Sequence, residues 1–270
     1  MKTQIIAIAN QKGGVGKTTT SVNLSGGLAS KGFRTLVVDL DSQANSTKTF
    51  LNADAITTTL TDVLVGYGNR TSLADALYET HIPNLDLAPS NIRLARLEQE
   101  TDVDAQYRLK DALESIETYD FILIDCAPTL GAMLKQALLA AHLVLVPIAA
   151  QYYPLEGVAD LVESVRAVRK RLNPSLDVLG YLVTDFDIRN QICAQSLKKI
   201  QESYKEKVFE TVIRTNVKLQ TAPAYQQTIY EHAPNSNGSI DYASLTEEVL
   251  QRLSVAKSNL RVVKGKAVNE

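Results

Sequence analysis

The sequence has little of what disulfide frameworks, zinc sites and membrane spans require. Its only cysteines, Cys126 and Cys193, are too few and too far apart for a disulfide framework or a four-ligand zinc site. No segment approaches the roughly 18 apolar residues of a membrane span, and the N-terminus has no signal-peptide cleavage site. We therefore expect a soluble, cytosolic protein with two reduced, buried thiols.

The chain also lacks an excess of charge of either sign. Its 28 Lys and Arg residues nearly balance 30 Asp and Glu residues, and the formal net charge is -2. Any affinity for nucleic acid must therefore come from a local basic patch. From Phe186 onward 12 Lys and Arg residues face 9 Asp and Glu residues, whereas the preceding part has 16 against 21. No Pro/Ser-rich linker or internal repeat divides the chain, which predicts one domain over residues 1–256 and a flexible tail over 257–270.

Apolar, β-branched runs alternate with longer amphipathic stretches along the whole chain. This alternation predicts an α/β fold, with a mostly parallel twisted sheet and helices on both faces. The predicted strands are Ile5–Ala9, Thr35–Asp39, Leu85–Ala88, Phe121–Asp125, Leu143–Ile148, Val178–Thr184 and Val208–Ile213. The predicted helices are Lys17–Ser30, Arg108–Ile116, Leu130–Ala140, Leu155–Leu172, Gln191–Tyr204 and Tyr242–Val255. The least regular stretch, 42–84, is expected to be a surface excursion.

The first predicted strand runs into a glycine-rich segment, KGGVGKTT, from which a helix begins. Glycines allow a loop to turn its N–H groups toward phosphate oxygens, and the helix N-terminus adds its positive dipole end. In such a P-loop, Lys17 reaches the β- and γ-phosphates and the Thr18 hydroxyl is a magnesium ligand. The predicted nucleotide-binding residues are Lys12, Gly13, Gly14, Val15, Gly16, Lys17, Thr18 and Thr19, with ATP and Mg²⁺ as the ligands.

Lys12 is the unusual residue of this loop, because a generic P-loop has glycine at its first position. A lysine placed there is poorly located to fold back onto the nucleotide of its own subunit. It is better placed to reach the nucleotide of a facing subunit and neutralise developing charge, as an arginine finger does.

Three carboxylates follow predicted strands at the edge where open α/β sheets bind ligands. Asp39 and Asp41 end the second strand, and one of them is expected to face the magnesium. Asp41, expected in a mobile loop, is our candidate for orienting the attacking water as well as a metal ligand. Asp125 ends the apolar run FILID and is expected to hold magnesium as a Walker B carboxylate.

Five motifs in this order resemble the deviant-Walker ATPases of the ParA/MinD class, and its ParA (Soj) partition branch most closely. They are KGGVGKTT, DLDSQAN from Asp39, IDCAPTLG from Ile124, QYYPLEG from Gln151 and NVKLQTAP from Asn216, and together they extend over nearly the entire chain. The resemblance implies that Lys12 acts across an ATP-sandwiched homodimer, that Asp41 is needed for hydrolysis and that Asn216 lies beside the adenine. An amide after a strand can pair with a purine edge, which agrees with that role for Asn216.

The same resemblance implies non-specific DNA binding by the ATP dimer, release by a ParB-like or other cargo adaptor, and location in the cytoplasm, on the nucleoid when ATP is bound. The sequence departs from the branch at Ala127, Arg214 and Thr221, where proline, proline and glutamate are common. These differences affect the expected adenine pocket but not the phosphate site. The candidate DNA-binding residues are Arg189, Lys198, Lys199, Arg214 and Lys218.

Two other functions were weighed against partition. A membrane-positioning ATPase like MinD needs a terminal amphipathic helix with bulky apolar anchors, whereas the tail has Gly265 and no Phe or Trp. We expect no membrane partner. An iron–sulfur reductase needs two cysteines placed around a dimer axis, and Cys126 abuts the Walker B carboxylate while Cys193 lies on a late helix. The cargo is not indicated by these residues.

Overall fold

The computed structural model of the chain describes residues 2–65, 71–100, 102–116, 119–151, 155 and 157–266, with side chains described as far as residue 254. Most of the QYYPLEG motif, at 152–154 and 156, lies outside the described residues, as do 267–270. None of the helices within the described ranges is long and apolar enough to cross a membrane.

The centre of the fold is one eight-stranded sheet. Its strands are β1 (Gln4–Ile8), β2 (Thr35–Leu40), β3 (Tyr78–Glu79), β4 (Leu85–Ala88), β5 (Phe121–Cys126), β6 (Leu143–Ala149), β7 (Asp177–Phe186) and β8 (Val208–Arg214). They lie in the order β3-β4-β2-β5-β1-β6-β7-β8, and β3 alone among them pairs in the antiparallel sense. The predicted α/β fold with a mostly parallel sheet is confirmed, and each predicted strand is found within a few residues of its expected bounds.

Helices cover the sheet. They are α1 (Lys17–Ser30), α2 (Asn45–Phe50), α3 (Leu60–Leu64), α4 (Arg108–Glu114), α5 (Ala132–Ala140), α6 (Val158–Arg171), α7 (Gln191–Tyr204), α8 (Val217–Thr221), α9 (Ile229–His232) and α10 (Asn237–Lys266). The last helix begins earlier and extends further than predicted, so the expected flexible tail starts inside its range. The stretch 42–84 is not only a surface excursion, because it contains α2, α3 and β3 and buries Phe50, Leu60 and Leu73.

Both faces of the sheet are buried, which explains the continuous apolar runs of its strands. Ile6 and Ile8 of β1 pack with Leu24 of α1 and Leu245 of α10, whereas Ala7 faces the opposite cluster, to which α4, α5 and α6 contribute. Successive residues of a strand thus point to opposite faces of the sheet and pack into different hydrophobic clusters, as the two-residue period of a strand requires.

Helix α1 packs closely against α10 at Gly27. A Cβ added to Gly27 would lie 2.2 Å from Thr246 Oγ1 and 2.7 Å from Tyr230 Oη, so a larger residue has no room there. Near the start of α1, Thr20 Oγ1 lies 3.2 Å from the buried hydroxyl of Tyr242. The helix that begins in the P-loop is therefore fixed against the last helix of the domain.

Candidate functional site

The glycine-rich loop is held from beneath by polar side chains of the sheet. Asn10 Nδ2 donates to Pro147 O at 2.7 Å, and Asn10 Oδ1 accepts from the Lys12 backbone N–H at 3.0 Å. On the far side, the Thr184 hydroxyl donates to Val15 O at 2.9 Å. The loop is thus anchored to β6 and β7.

The loop has the backbone conformation and the open space that a phosphate cradle needs. Gly14 and Gly16 have φ values of 71° and 84°, in the left-handed region that L side chains disfavour. A Cβ built on Gly13 or Gly14 meets no atom within 4 Å, so the outer side of the loop is open. Helix α1 has no side-chain cap, and its first N–H groups have no acceptor within the helix. These donors and the helix dipole form an anion site.

Lys17 lies below this cradle with its charge largely enclosed. Its side chain is buried, and Nζ donates to Lys12 O at 3.0 Å. Burial lowers the pKa of Lys17, while the nearby acidic groups, above all Asp125, act in the opposite direction. The predicted phosphate-binding lysine is therefore brought together with two of the predicted acidic residues.

Asp39 and Asp125 are directly opposite each other on the neighbouring strands β2 and β5, and both are fully buried. Asp39 Oδ2 accepts from the backbone N–H and the hydroxyl of Thr47, at 2.8 and 2.7 Å. Asp125 Oδ2 accepts from the Ser46 hydroxyl at 2.7 Å. The start of α2 is therefore fastened to both carboxylates.

Each of these carboxyl groups has a raised pKa. Burial is the main cause in both cases, and the charge of Asp125 adds to the rise at Asp39. The hydroxyl groups of Ser46, Thr18 and Ser21 act against the rise at Asp125. Two enclosed carboxylates are costly to ionise together, so the pair favours positive charge close by, and Lys17 lies within electrostatic range of Asp125.

Asp41 immediately follows β2 and is buried, which corrects the expectation of a mobile loop. Its N–H donates to Asp39 Oδ1 at 3.2 Å, and its Oδ1 accepts from the Gln43 N–H at 2.9 Å. The Ala44 N–H closes the turn onto Asp41 O at 2.9 Å. The turn holds Asp41 beside the carboxylate pair, because backbone bonds fix both its ends.

A magnesium ion fits this arrangement if phosphate oxygens complete its coordination. Asp125 Oδ1 is buried and has no hydrogen-bond partner in the described part of the chain. Over the same residues, no group of three or more His, Cys, Asp or Glu side chains is placed to hold a metal ion by itself. Magnesium characteristically takes one or two carboxylates together with phosphates and water, which matches an acid that has one free oxygen.

The remaining nucleotide-site predictions lie around the same sheet edge. Lys12 is half-buried at the start of the loop. Asn216 follows β8, where its Oδ1 caps α8 by accepting from the Lys218 N–H at 2.9 Å. A small cavity of about 30 Å³ separates the first turn of α1 from the segment that Asn216 opens, and Thr18 and Thr19 line it. These positions leave the roles of Lys12 and Asn216 as predictions.

The five candidate DNA-binding residues fall into two groups. The side chains of Arg189 and Lys198 are 87% and 79% exposed, with acidic partners only on their own turn or helix. Lys199 and Lys218 are exposed as well. Arg214 differs, because its guanidinium binds both oxygens of Asp241 on α10, a carboxylate that is only 8% exposed. The charge of Arg214 is therefore already used within the fold.

Sequence reasoning missed four residues that build the site: Asn10, Ser46, Thr47 and Thr184. Asn10 and Thr184 are polar residues at the carboxyl ends of buried strands, and that placement is a signal which was available. Ser46 and Thr47 gave no such signal, because their role depends on α2 folding back over the carboxylates.

A family model described as AAA domain matches residues 3–178. The sporulation initiation inhibitor protein Soj of Bacillus subtilis is 40% identical over 250 residues, which cover 91% of this chain and 98% of Soj. The chromosome partitioning protein ParA of Caulobacter vibrioides is 38% identical over 255 residues, which cover 92% of this chain and 94% of that protein.

Solved structures share the whole architecture. Cobyrinic acid a,c-diamide synthase from Mycobacterium smegmatis, with bound ADP and magnesium, has a TM-score of 0.80 at 30% identity, covering 93% of this chain and 96% of that one. A putative plasmid partition protein from Borrelia burgdorferi, bound to AMPPNP, has a TM-score of 0.75 at 26% identity, covering 94% and 100%. With its glycine cradle, buried lysine and facing carboxylates, the chain belongs to the Soj/ParA family of P-loop partitioning ATPases.

Proposed function

We propose that the chain is an ATPase that dimerises around ATP, binds DNA non-specifically as the dimer, and is released when an adaptor protein stimulates hydrolysis. The observation that carries the proposal is the unpartnered oxygen of Asp125, buried beside Lys17 and below an open glycine cradle. A site of this kind places a cation and a phosphate chain side by side.

The proposed role of each residue follows from its position in the site. The loop N–H groups and Lys17 would bind and orient the phosphates, and Thr18 and Asp125 would hold the metal. Magnesium, when bound, neutralises charge on the phosphate oxygens. Asp41 orients the attacking water from its buried turn, with Asp39 fixing that turn through the Asp41 N–H. Asn216 is assigned to the adenine base, because it lies at the edge of the sheet where the strands end.

Dimerisation is assigned to Lys12. Two triphosphates that face each other repel unless a cation lies between them, and Lys12 is half-buried at the rim of the loop. DNA binding is assigned to the exposed cations Arg189, Lys198, Lys199 and Lys218, because two copies double the number of phosphate contacts. The adaptor is a ParB-like or other cargo protein, and the ATP-bound form is expected on the nucleoid.

Co-sedimentation with DNA and with liposomes, each with ATP, with ADP and without nucleotide, tests this function. We expect ATP-dependent sedimentation with DNA that decreases steeply with salt. ATP-dependent sedimentation with liposomes in place of DNA would instead support a membrane-positioning ATPase. Equal DNA binding with ATP and ADP would contradict the proposed cycle.

A further inference from the structure

Helix α2 is too short to be stable by itself. It has six residues, Asn45–Phe50, and isolated helices shorter than about 12 residues are marginal in water. Its N-terminal side is fastened to the carboxylate pair through Ser46 and Thr47. Its C-terminal carbonyls need partners as well.

Gln226 supplies those partners from the base side of the site. Its Nε2 donates to Lys48 O at 3.2 Å and to Leu51 O at 3.1 Å, some 175 residues away in sequence. Gln226 ends a short 3-10 helix, Ala222–Tyr225, and has φ 54° and ψ 45°, a conformation that favours glycine. A glutamine at this position carries a backbone cost that its side chain offsets through the two bonds to α2.

The same two segments meet around the small cavity beside the P-loop. Thr49 of α2 lines it from one side, and Leu219, Ala222 and Pro223 line it from the other. At about 30 Å³ the cavity holds no purine, so a base that enters here must displace the segment that carries Gln226. Hydrogen bonds connect that segment to α2 through the Gln226 amide, and α2 to Asp39 and Asp125, so a displacement of the segment would reach both carboxylates.

We propose that Gln226 is a positioning residue that couples occupancy of the base site to the carboxylates of the metal site by capping α2. The inference rests on the proposed function for the identity of the ligands. It assigns Gln226 no contact with the reacting atoms. Its consequence is that magnesium binding depends on whether the triphosphate carries a base.

The test uses the full-length chain with Gln226→Ala, Gln226→Gly and Gln226→Glu, and with Gln220→Ala as the control on exposed α8. Glycine adopts the backbone conformation without cost, so a defect in that variant arises from the lost amide and not from misfolding. Magnesium affinity is measured by titration in the presence of a slowly hydrolysed ATP analogue and, separately, of tripolyphosphate, which has no base. Hydrogen exchange of the α2 amides is followed in the nucleotide-free protein.

With the ATP analogue, we expect all three Gln226 variants to need roughly three- to tenfold more magnesium, as expected for the loss of two neutral hydrogen bonds. With tripolyphosphate, the shift should be smaller, because no base moves the segment that carries Gln226. In the nucleotide-free protein, α2 should exchange faster in each Gln226 variant but not in Gln220→Ala. An equal shift with both ligands, or unchanged exchange, would overturn the coupling. Wild-type protein that binds neither ligand would overturn the proposed function instead.

Discussion

Asp39 and Asp125 face each other across β2 and β5 with both side chains fully buried, and Thr47 and Ser46 are their hydrogen-bond donors from α2. Burial raises both pKa values, and the charge of Asp125 adds to the rise at Asp39. A cation close by would stabilise the ionised form of this pair.

The first prediction concerns the stability of the nucleotide-free protein. Because its pKa is raised to about 7, Asp39 stabilises the fold below its ordinary pKa of about 4, and this contribution is lost as the pH rises through neutrality. Thermal unfolding of the wild type should therefore shift to lower temperature between about pH 4 and pH 7. In Asp39→Asn the melting temperature should depend less on pH. Each kcal/mol of pH-dependent stability that is lost in this variant corresponds to roughly 2–4 °C in the melting temperature. Parallel curves for the two proteins would contradict the assignment.

The second prediction is that Lys17→Ala loses ATP binding, by about 100-fold or more, because it removes a buried charge from the phosphate cradle. Isothermal calorimetry measures the affinity. Lys110→Ala, which removes a surface lysine paired with Glu114 on α4, is the control and should bind normally. Retained affinity in Lys17→Ala would invalidate the P-loop assignment.

The third prediction is that Asp41→Ala binds ATP and dimerises but does not turn over, so that it stays on DNA. Asp41 lies in a fixed turn beside the metal carboxylates, where a water has to be oriented. Phosphate release in the presence of the adaptor measures the effect, with the exposed Asp54→Ala as control. Near-normal release from Asp41→Ala would refute the role.

The sequence predicted the strands and the loop well because both depend on local signals. A continuous apolar run followed by glycines and lysine specifies β1, the loop and α1 without reference to the rest of the chain. Contacts made by α2 could not be predicted in this way. Thr47 reaches Asp39 only after α2 folds back over the carboxylates, and Gln226 reaches Leu51 only after segments 175 residues apart meet. Neither residue differs in sequence from an ordinary surface polar residue.

The fourth prediction separates the basic residues. Arg189→Ala should weaken DNA binding by the ATP form and reduce the slope of log affinity against log salt by about 2, because it removes one phosphate contact from each subunit of the dimer. Arg214→Ala should instead destabilise the fold by about 1–2 kcal/mol, because Asp241 is left buried without its guanidinium. Filter binding over a salt series and chemical unfolding distinguish the two variants. If Arg214→Ala weakened DNA binding as much as Arg189→Ala does and left stability unchanged, Arg214 would belong to the DNA contacts.

The fifth prediction separates Lys12 from Lys17, although both belong to the same loop. Lys17 is buried below the cradle, whereas Lys12 is half-buried at its rim and its backbone carbonyl accepts from Lys17 Nζ. Lys12→Gln keeps that carbonyl, so the loop should keep its shape and bind nucleotide as a monomer.

What Lys12→Gln should lose is association, because two facing triphosphates repel each other when the cation between them is removed. The defect should depend on protein concentration, and DNA binding should decrease in parallel with the dimer fraction. Light scattering with a slowly hydrolysed ATP analogue measures the mass, and fluorescence of a labelled nucleotide measures affinity. A Lys12→Gln chain that dimerises as the wild type does would show that Lys12 is an ordinary surface lysine and that the action across subunits is wrong.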